Sequence, residues 1–286
     1  MQTNRLVLNL DCRDSLGLVA KITSRIAALG LNLIEVNQHT DIASGWFFAR
    51  IEMEAPKSGI TREQFTAEFL PLASELNARW TVRYRGERVK TAILVSKADH
   101  CLDDLLWRWR SGELPMDIVA IISNHPDCAH LARREGIPFE EVRFSENGKD
   151  EAFAKLESLI HSTGAELIIL ARFMQVLPPA LCEKFHARII NIHHSFLPAF
   201  TGGNPYARAY ERGVKLIGAT CHYVTPELDA GPIIEQEVVR VEHFHDTEDM
   251  KRLGRDCERL ALGRGVRYHL ENRILLYGQR TVVFRD

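Results

Sequence analysis

Hydrophobic and polar positions alternate with a period of two over residues 5–10, which predicts a half-buried strand. Asp14 or Ser15 then stands where a helix cap is expected, ahead of Val19, Ile22, Ile26 and Leu29 at three- and four-residue steps. Gly30 follows where a helix end turns left-handed, a conformation that favours glycine. Segments 31–38 and 46–53 read as two strands joined through Asp41-Ile42-Ala43-Ser44-Gly45. A second helix carries Phe65, Phe69, Leu72 and Leu76 on one face, and 79–83 closes as a strand. The order is βαββαβ, a ferredoxin-like arrangement.

A short polar run, Tyr84-Arg85-Gly86-Glu87-Arg88, follows and marks a boundary. It sets a first domain at 1–84, a linker at 85–89 and a second domain at 90–286. Beyond it strands at 91–95, 116–122, 167–171 and 188–191 alternate with helices at 102–109, 127–134, 153–161 and 178–185. Several strands are continuous apolar runs, such as Leu167-Ile168-Ile169-Leu170, as expected of strands buried on both faces. The second domain is therefore expected to be an open, mostly parallel, Rossmann-like α/β sheet, with ligands outside the carboxyl ends of its strands. Residues 246–276, rich in Arg and Glu, read as a solvated amphipathic helix that could also pack subunits together.

Length agrees with this division, since 286 residues make about two domains. With Lys and Arg totalling 36 against 38 Asp and Glu, the chain lacks the basic excess that nucleic acid or an anionic membrane requires. None of the six cysteines falls in a CxxC pair, and neither a leader-like apolar segment nor a membrane-length run is present. A reduced, cytoplasmic protein is expected.

Polar, Gly and Pro residues concentrate in two places. One is Asn191-Ile192-His193-His194-Ser195-Phe196-Leu197-Pro198 and its continuation through Thr201-Gly202-Gly203-Asn204; the other is Thr225-Pro226-Glu227-Leu228-Asp229-Ala230-Gly231-Pro232. Each is read as a loop at a strand's carboxyl end. A carboxamide, an imidazole and a carboxylate are thus available to one site, a set suited to acyl or formyl transfer. From the residues alone, a surface or satisfied histidine and a plain turn aspartate are the commoner roles. His243-Phe244-His245 offers two imidazoles on a strand edge without a carboxylate partner, so no metal is expected.

Asn191-Ile192-His193-x-Ser195-x-Leu197-Pro198 together with Leu228-Asp229-x-Gly231-Pro232-Ile233 resembles the formyltransferase family that handles 10-formyltetrahydrofolate. The resemblance spans 90–286 and implies Asn191, His193 and Asp229 as the catalytic trio. It also implies a pterin pocket formed by Met174, Gln175, Val176 and Leu177 with Val224, Thr225, Glu227 and Leu228. Trp107-Arg108-Trp109-Arg110-Ser111-Gly112-Glu113-Leu114-Pro115, Pro205-Tyr206 and Thr281-Val282-Val283-Phe284 resemble the deformylase branch, which hydrolyses the formyl group. The N-terminal domain resembles an ACT module, although its loop Asp11-Cys12-Arg13-Asp14-Ser15-Leu16-Gly17 lacks a proline.

The resemblance therefore implies hydrolysis of 10-formyltetrahydrofolate to tetrahydrofolate and formate, which would feed purine synthesis and balance folate pools. No cofactor is implied beyond the folate substrate. An amino-acid effector would lie at Asp11, Asp14 and Gly17, and the chain would form a homo-oligomer. The alternatives are a glycinamide ribonucleotide formyltransferase, a methionyl-tRNA formyltransferase (which should carry a basic extension) and an amino-acid sensor with an inert second domain. Against a ribonucleotide acceptor, Ser96-Lys97-Ala98-Asp99-His100-Cys101-Leu102 contains no glycine for a phosphate loop, and Asp99 would repel a phosphate.

Overall fold

The computed structural model describes residues 4–56, 59–145, 148–198 and 205–285. The chain forms two units: Met1–Glu87 with Glu271–Tyr277 and Val282–Asp286, and Arg88–Leu270 with Gly278–Thr281.

The first unit contains β1 Arg5–Arg13, α1 Leu18–Ala28, β2 Asn32–Asp41, β3 Trp46–Glu54, α2 Arg62–Glu75 and β4 Arg79–Tyr84. They build an antiparallel sheet of order β2-β3-β1-β4. Leu6, Leu8, Leu10 and Cys12 share one face of β1 and meet Ile22, Ile26, Phe65 and Phe69 in a buried core. Helix α1 starts differently from the expectation. Its N-cap is Gly17, at φ 81°, and no side chain caps it. The buried stripe is therefore Leu18, Ile22 and Ile26, while Val19 is exposed. Helix α2 opens with a capping box between Thr61 and Gln64.

The unit also claims chain from the far end. Asn9 Nδ2 donates to the Asn272 carbonyl at 3.0 Å, and the Tyr277 ring lies edge-on to Phe48 with centroids 5.3 Å apart. Residues 271–277 thus cover the sheet face that α1 and α2 leave open. This departs from the expected 90–286 domain, because a return pairing over such a sequence separation leaves no local signal.

In the second unit the elements are β5 Val89–Val95, α3 His100–Arg110, β6 Met116–Ser123, α4 Ala129–Glu135, β7 Phe139–Glu141, α5 Lys149–Thr163, β8 Leu167–Leu170, α6 Pro179–Lys184, β9 Ile189–His193, α7 Pro205–Glu211, β10 Leu216–Tyr223, β11 Ile233–Arg240 and α8 Thr247–Leu270. The sheet order is β11-β10-β9-β8-β5-β6-β7. Strands β5 to β9 pair in parallel, whereas β10 and β11 pair antiparallel. The expected mostly parallel α/β sheet is what forms.

Chain order reverses between β5 and β8, the position where open α/β sheets place ligands. All four side chains of β8 are buried. Each contributes about 1.5–3 kcal/mol relative to exposure, which makes a firm base for the loop that follows.

Helix α8 corrects the reading of 246–276. It ends at Leu270, and Met250, Gly254, Cys257, Glu258, Ala261, Leu262 and Val266 are buried in it. It packs on β9, β10, β11 and α3. Small residues permit that approach: a side chain at Gly265 would strike the Cys221 sulfur, and one at Gly263 would strike the Arg108 guanidinium. No helix among the described residues is long and apolar enough to cross a membrane.

Candidate active site

Strand β9 runs two residues further than expected, through Ile189-Ile190-Asn191-Ile192-His193. Side chains alternate along a strand, so Asn191 and His193 share one face. His193 is 5% exposed. The second loop reaches this face by an unexpected route. Because β10 is antiparallel to β9, the loop leaves beside the start of β9, where Val224 N–H donates to the Ile189 carbonyl at 2.9 Å. It follows the carboxyl end of its own strand, as expected, but that end lies beside the start of β9 and not beside His193. Its far part returns to His193. A side chain at Gly231 would collide with the Tyr223 carbonyl oxygen, so glycine is what lets the chain pass.

Asp229 sits on that return with φ 56°, a left-handed conformation that Asp tolerates better than most residues. Its Oδ2 lies 3.3 Å from His193 Nδ1. A carboxylate accepts only, so Nδ1–H faces it and His193 Nε2 is the atom left for substrate. That nitrogen is buried and has no hydrogen-bond partner among the described residues. Burial would raise the Asp229 pKa, but the hydrogen bond and charge of His193, aided by His222 and His194, hold it below the ordinary carboxylate value.

The Asn191 amide is oriented from behind. His222 Nδ1–H donates to the Tyr223 carbonyl at 2.9 Å, which leaves its Nε2 as an acceptor. Asn191 Nδ2 meets that acceptor at 3.1 Å, so one amide hydrogen is used and the other, without a partner among the described residues, can serve substrate. Burial is the main force lowering the His222 pKa, which keeps this ring neutral and the pattern intact. The His194 ring lies tilted at 45° to that of His193, with centroids 5.2 Å apart. Its pKa is pushed down to about 4, first by burial and then by the Arg172 charge.

Asn191, His193, Asp229, Met174, Gln175, Val176, Leu177, Val224, Thr225, Glu227 and Leu228 all line one cavity. It encloses about 870 Å³, its open mouth included. Met174, Val176 and Leu228 are exposed apolar side chains there, whereas Leu177 is buried core. The loop bearing Met174 is fixed at the switch point, where Met174 N–H donates to Ser96 Oγ at 3.0 Å and Ser96 N–H to the Arg172 carbonyl at 3.3 Å. Arg172 and Phe173, which precede Met174 in the loop that resembles the family's pterin pocket lining, also line the cavity, as do His194 and His222, to which the sequence reading gave no role. Positions 199–204, including Thr201-Gly202-Gly203-Asn204, lie outside the described residues.

Other candidates sit elsewhere. His243 and Phe244 occupy an exposed turn and not a strand edge, and His245 Nδ1 accepts from Glu242 N–H at 2.9 Å. His100, Cys101 and Glu258 cluster closely enough to hold an ion, but Glu258 already pairs with Tyr206 and Arg172, and burial pushes the Cys101 thiol well up. In the first unit, Asp11 is buried and accepts from Trp46 Nε1 at 2.9 Å and Arg79 Nε at 2.8 Å. Asp14 is exposed, and Gly17 has open space around its α-carbon.

Known proteins share this architecture. The formyl transferase family model matches residues 89–266. A formyltetrahydrofolate deformylase from Synechocystis is 46% identical, with 99% of this chain and 100% of that protein aligned. The crystal structure of a formyltetrahydrofolate deformylase from Pseudomonas syringae pv. tomato superposes with a TM-score of 0.96 at 45% identity, covering 100% of this chain and 96% of that one. A glycinamide ribonucleotide transformylase from Symbiobacterium toebii is more distant, with a TM-score of 0.66 at 29% identity over 71% of this chain and 97% of that one. The match of both units to the deformylases, and of the second unit's fold to the wider formyl transferases, leads to one conclusion. The chain belongs to the formyltetrahydrofolate deformylase family.

Proposed function

We propose that this protein hydrolyses 10-formyltetrahydrofolate to tetrahydrofolate and formate, with Asn191, His193 and Asp229 carrying the chemistry. The observation that supports this reading most is the buried, unpartnered His193 Nε2 beside the oriented Asn191 amide, with Asp229 at 3.3 Å behind the ring. Met174, Val176 and Leu228 offer an apolar rim for the pterin ring, with Gln175, Leu177, Val224, Thr225 and Glu227 around it.

Water adds to the formyl carbon, and negative charge develops on the formyl oxygen. Asn191 Nδ2–H and protonated His193 Nε2–H donate to that oxygen. One such donor, fixed in advance, is worth about 2.7–4 kcal/mol in the transition state. Asp229 steadies the imidazolium and helps take the proton that water releases. The C–N10 bond then breaks and N10 takes up a proton. The formyl group is polarised by these hydrogen bonds, and water is the second reactant, so the scheme uses no further cofactor.

The transformylase alternative is disfavoured at the acceptor end. Strand β5 leads into Ser96-Lys97-Ala98-Asp99 without glycine, and Asp99 occupies the N-cap position of α3 with Asp103 in its first turn. A phosphate dianion would meet negative charge where a helix N-terminus would otherwise welcome it.

The first unit, as an ACT-like domain, is assigned a regulatory role with an amino-acid effector near Asp14 and Gly17. Asp11, already bonded to Trp46 and Arg79, contributes by shaping that loop. A homo-oligomer in the cytoplasm completes the reading; six free, buried cysteines suit a reducing compartment. The experiment is to incubate the protein with 10-formyltetrahydrofolate alone and follow formate. Stoichiometric formate and tetrahydrofolate are expected, and a requirement for an amine acceptor would refute the reading.

A further inference from the structure

Arg172 is the one arginine or lysine among the described residues lining the cavity. It stands just past β8 at φ 65°, a left-handed backbone that costs a long side chain free energy. Its Nε lies 3.4 Å from Glu258 Oε2 on α8. That Nε is buried and has no hydrogen-bond partner among the described residues, which leaves it a donor for an anion.

Glu258 is built in to stay charged. It is 1% exposed, and its carboxylate accepts from the Tyr206 hydroxyl and from His100 Nε2, each at 2.7 Å. Burial alone would raise its pKa, but His100, Arg172 and Tyr206 together bring it below the ordinary value. Gly254 lies one turn earlier on the same face of α8, and a side chain there would run into the Tyr206 ring. The glycine makes the space through which the tyrosine reaches Glu258. Helices α3, α7 and α8 thus each contribute a residue to a buried carboxylate facing a cavity arginine.

Of the other ionisable groups lining the cavity, His193 is the one the mechanism protonates, and Asp229 at 3.3 Å balances that charge. His194 and His222 are held neutral, and Asp229 is negative and engaged with His193. Hydrolysis creates a need that amine formylation does not. Water's oxygen bonds to the formyl carbon, the C–N10 bond breaks, and N10 keeps the electron pair and one proton. The remaining acid proton goes to solvent, which leaves formate as an anion. An amine acceptor would instead yield a neutral amide.

We propose that Arg172, positioned by Glu258, forms an anion subsite that receives formate as the C–N10 bond breaks. The proposal rests on the hydrolytic reading, and its test separates the two.

Wild type, Arg172→Lys, Arg172→Gln and Glu258→Gln are compared by steady-state formate release and by NMR titration with 13C-formate in the presence of tetrahydrofolate. Arg172→Gln is expected to weaken formate binding and lower kcat by roughly 10- to 100-fold each, the worth of a charged hydrogen bond. KM for the folate should stay within about threefold, since the lost contact is made late in the reaction. Arg172→Lys should recover part of both losses, and Glu258→Gln should shift both in the same direction by less. Thermal unfolding confirms which variants are folded, and Arg172→Lys keeps the comparison readable if Arg172→Gln is not. Formate binding and kcat unchanged in the folded Arg172 variants would overturn the subsite. Absence of formate release by the wild type would instead refute the hydrolytic reading, and the NMR titration would still decide whether Arg172 binds the anion.

Discussion

Replacing Asp229 by Asn separates the charge of this side chain from its shape. Asn tolerates the left-handed backbone of position 229 about as well as Asp does, so the loop should keep its path. Its amide oxygen can still accept from His193 Nδ1–H. What disappears is the attraction between a carboxylate and an imidazolium 3.3 Å away. At an effective dielectric constant of about 20 that attraction is about 5 kcal/mol. The retained hydrogen bond and local water return part of it, which leaves about 3–4 kcal/mol. At about 1.36 kcal/mol per tenfold, kcat should fall by roughly 10²- to 10³-fold. KM should change little, because Asp229 acts on the histidine and not on the pterin. The assay is steady-state formate release from 10-formyltetrahydrofolate, with a thermal melt to confirm folding. A folded Asp229→Asn protein with kcat within about threefold of wild type would refute the role assigned to this carboxylate.

Three further outcomes are expected. His222→Phe removes the acceptor that orients Asn191, a neutral hydrogen bond worth about 1 kcal/mol, so kcat should fall roughly 5- to 10-fold with KM unchanged; equal kcat would show that Asn191 is oriented otherwise. Gly254→Ala should destabilise the fold by about 1–3 kcal/mol in denaturant titration despite alanine's better helix propensity, because the new methyl lands in the Tyr206 ring; a gain in stability would contradict this packing. His194 has a pKa of about 4 when folded and about 6.5 when unfolded, so the unfolded chain binds more proton between those values and stability falls as pH drops through them. The loss should be about 2 kcal/mol between about pH 7 and about pH 5, and His194→Asn should flatten it; an unchanged slope would remove His194 as its source.

Much of the site was readable because its residues are close in sequence and punctuated by Gly and Pro. The two motifs marked Asn191, His193 and Asp229 through the family resemblance, whereas the face that Asn191 and His193 share appeared only once β9 was seen to run on to His193. What the pattern could not carry was direction. Nothing in the apolar positions of β10 distinguishes parallel from antiparallel, so the return of its loop over β9 emerged only from the register. Helix α8 misled because its charges dominate its composition. The stripe Met250, Gly254, Cys257, Ala261, Gly265 at helical spacing was there to be read, and small residues in it signal close packing. Glu258 sits beside that stripe, and only three partners from distant elements reveal why a carboxylate is buried there. Arg172 follows the apolar run Leu167-Ile168-Ile169-Leu170, but its positive φ and its approach to Glu258 are features that no sequence spacing shows.

The most direct test of the account asks whether water is the formyl acceptor. The protein is given 10-formyltetrahydrofolate in water enriched in 18O, with glycinamide ribonucleotide present as a competing amine, and the products are analysed by mass spectrometry. The account predicts formate carrying one solvent-derived oxygen, with tetrahydrofolate in equal amount and the amine unchanged. Formylated ribonucleotide as the main product would contradict it.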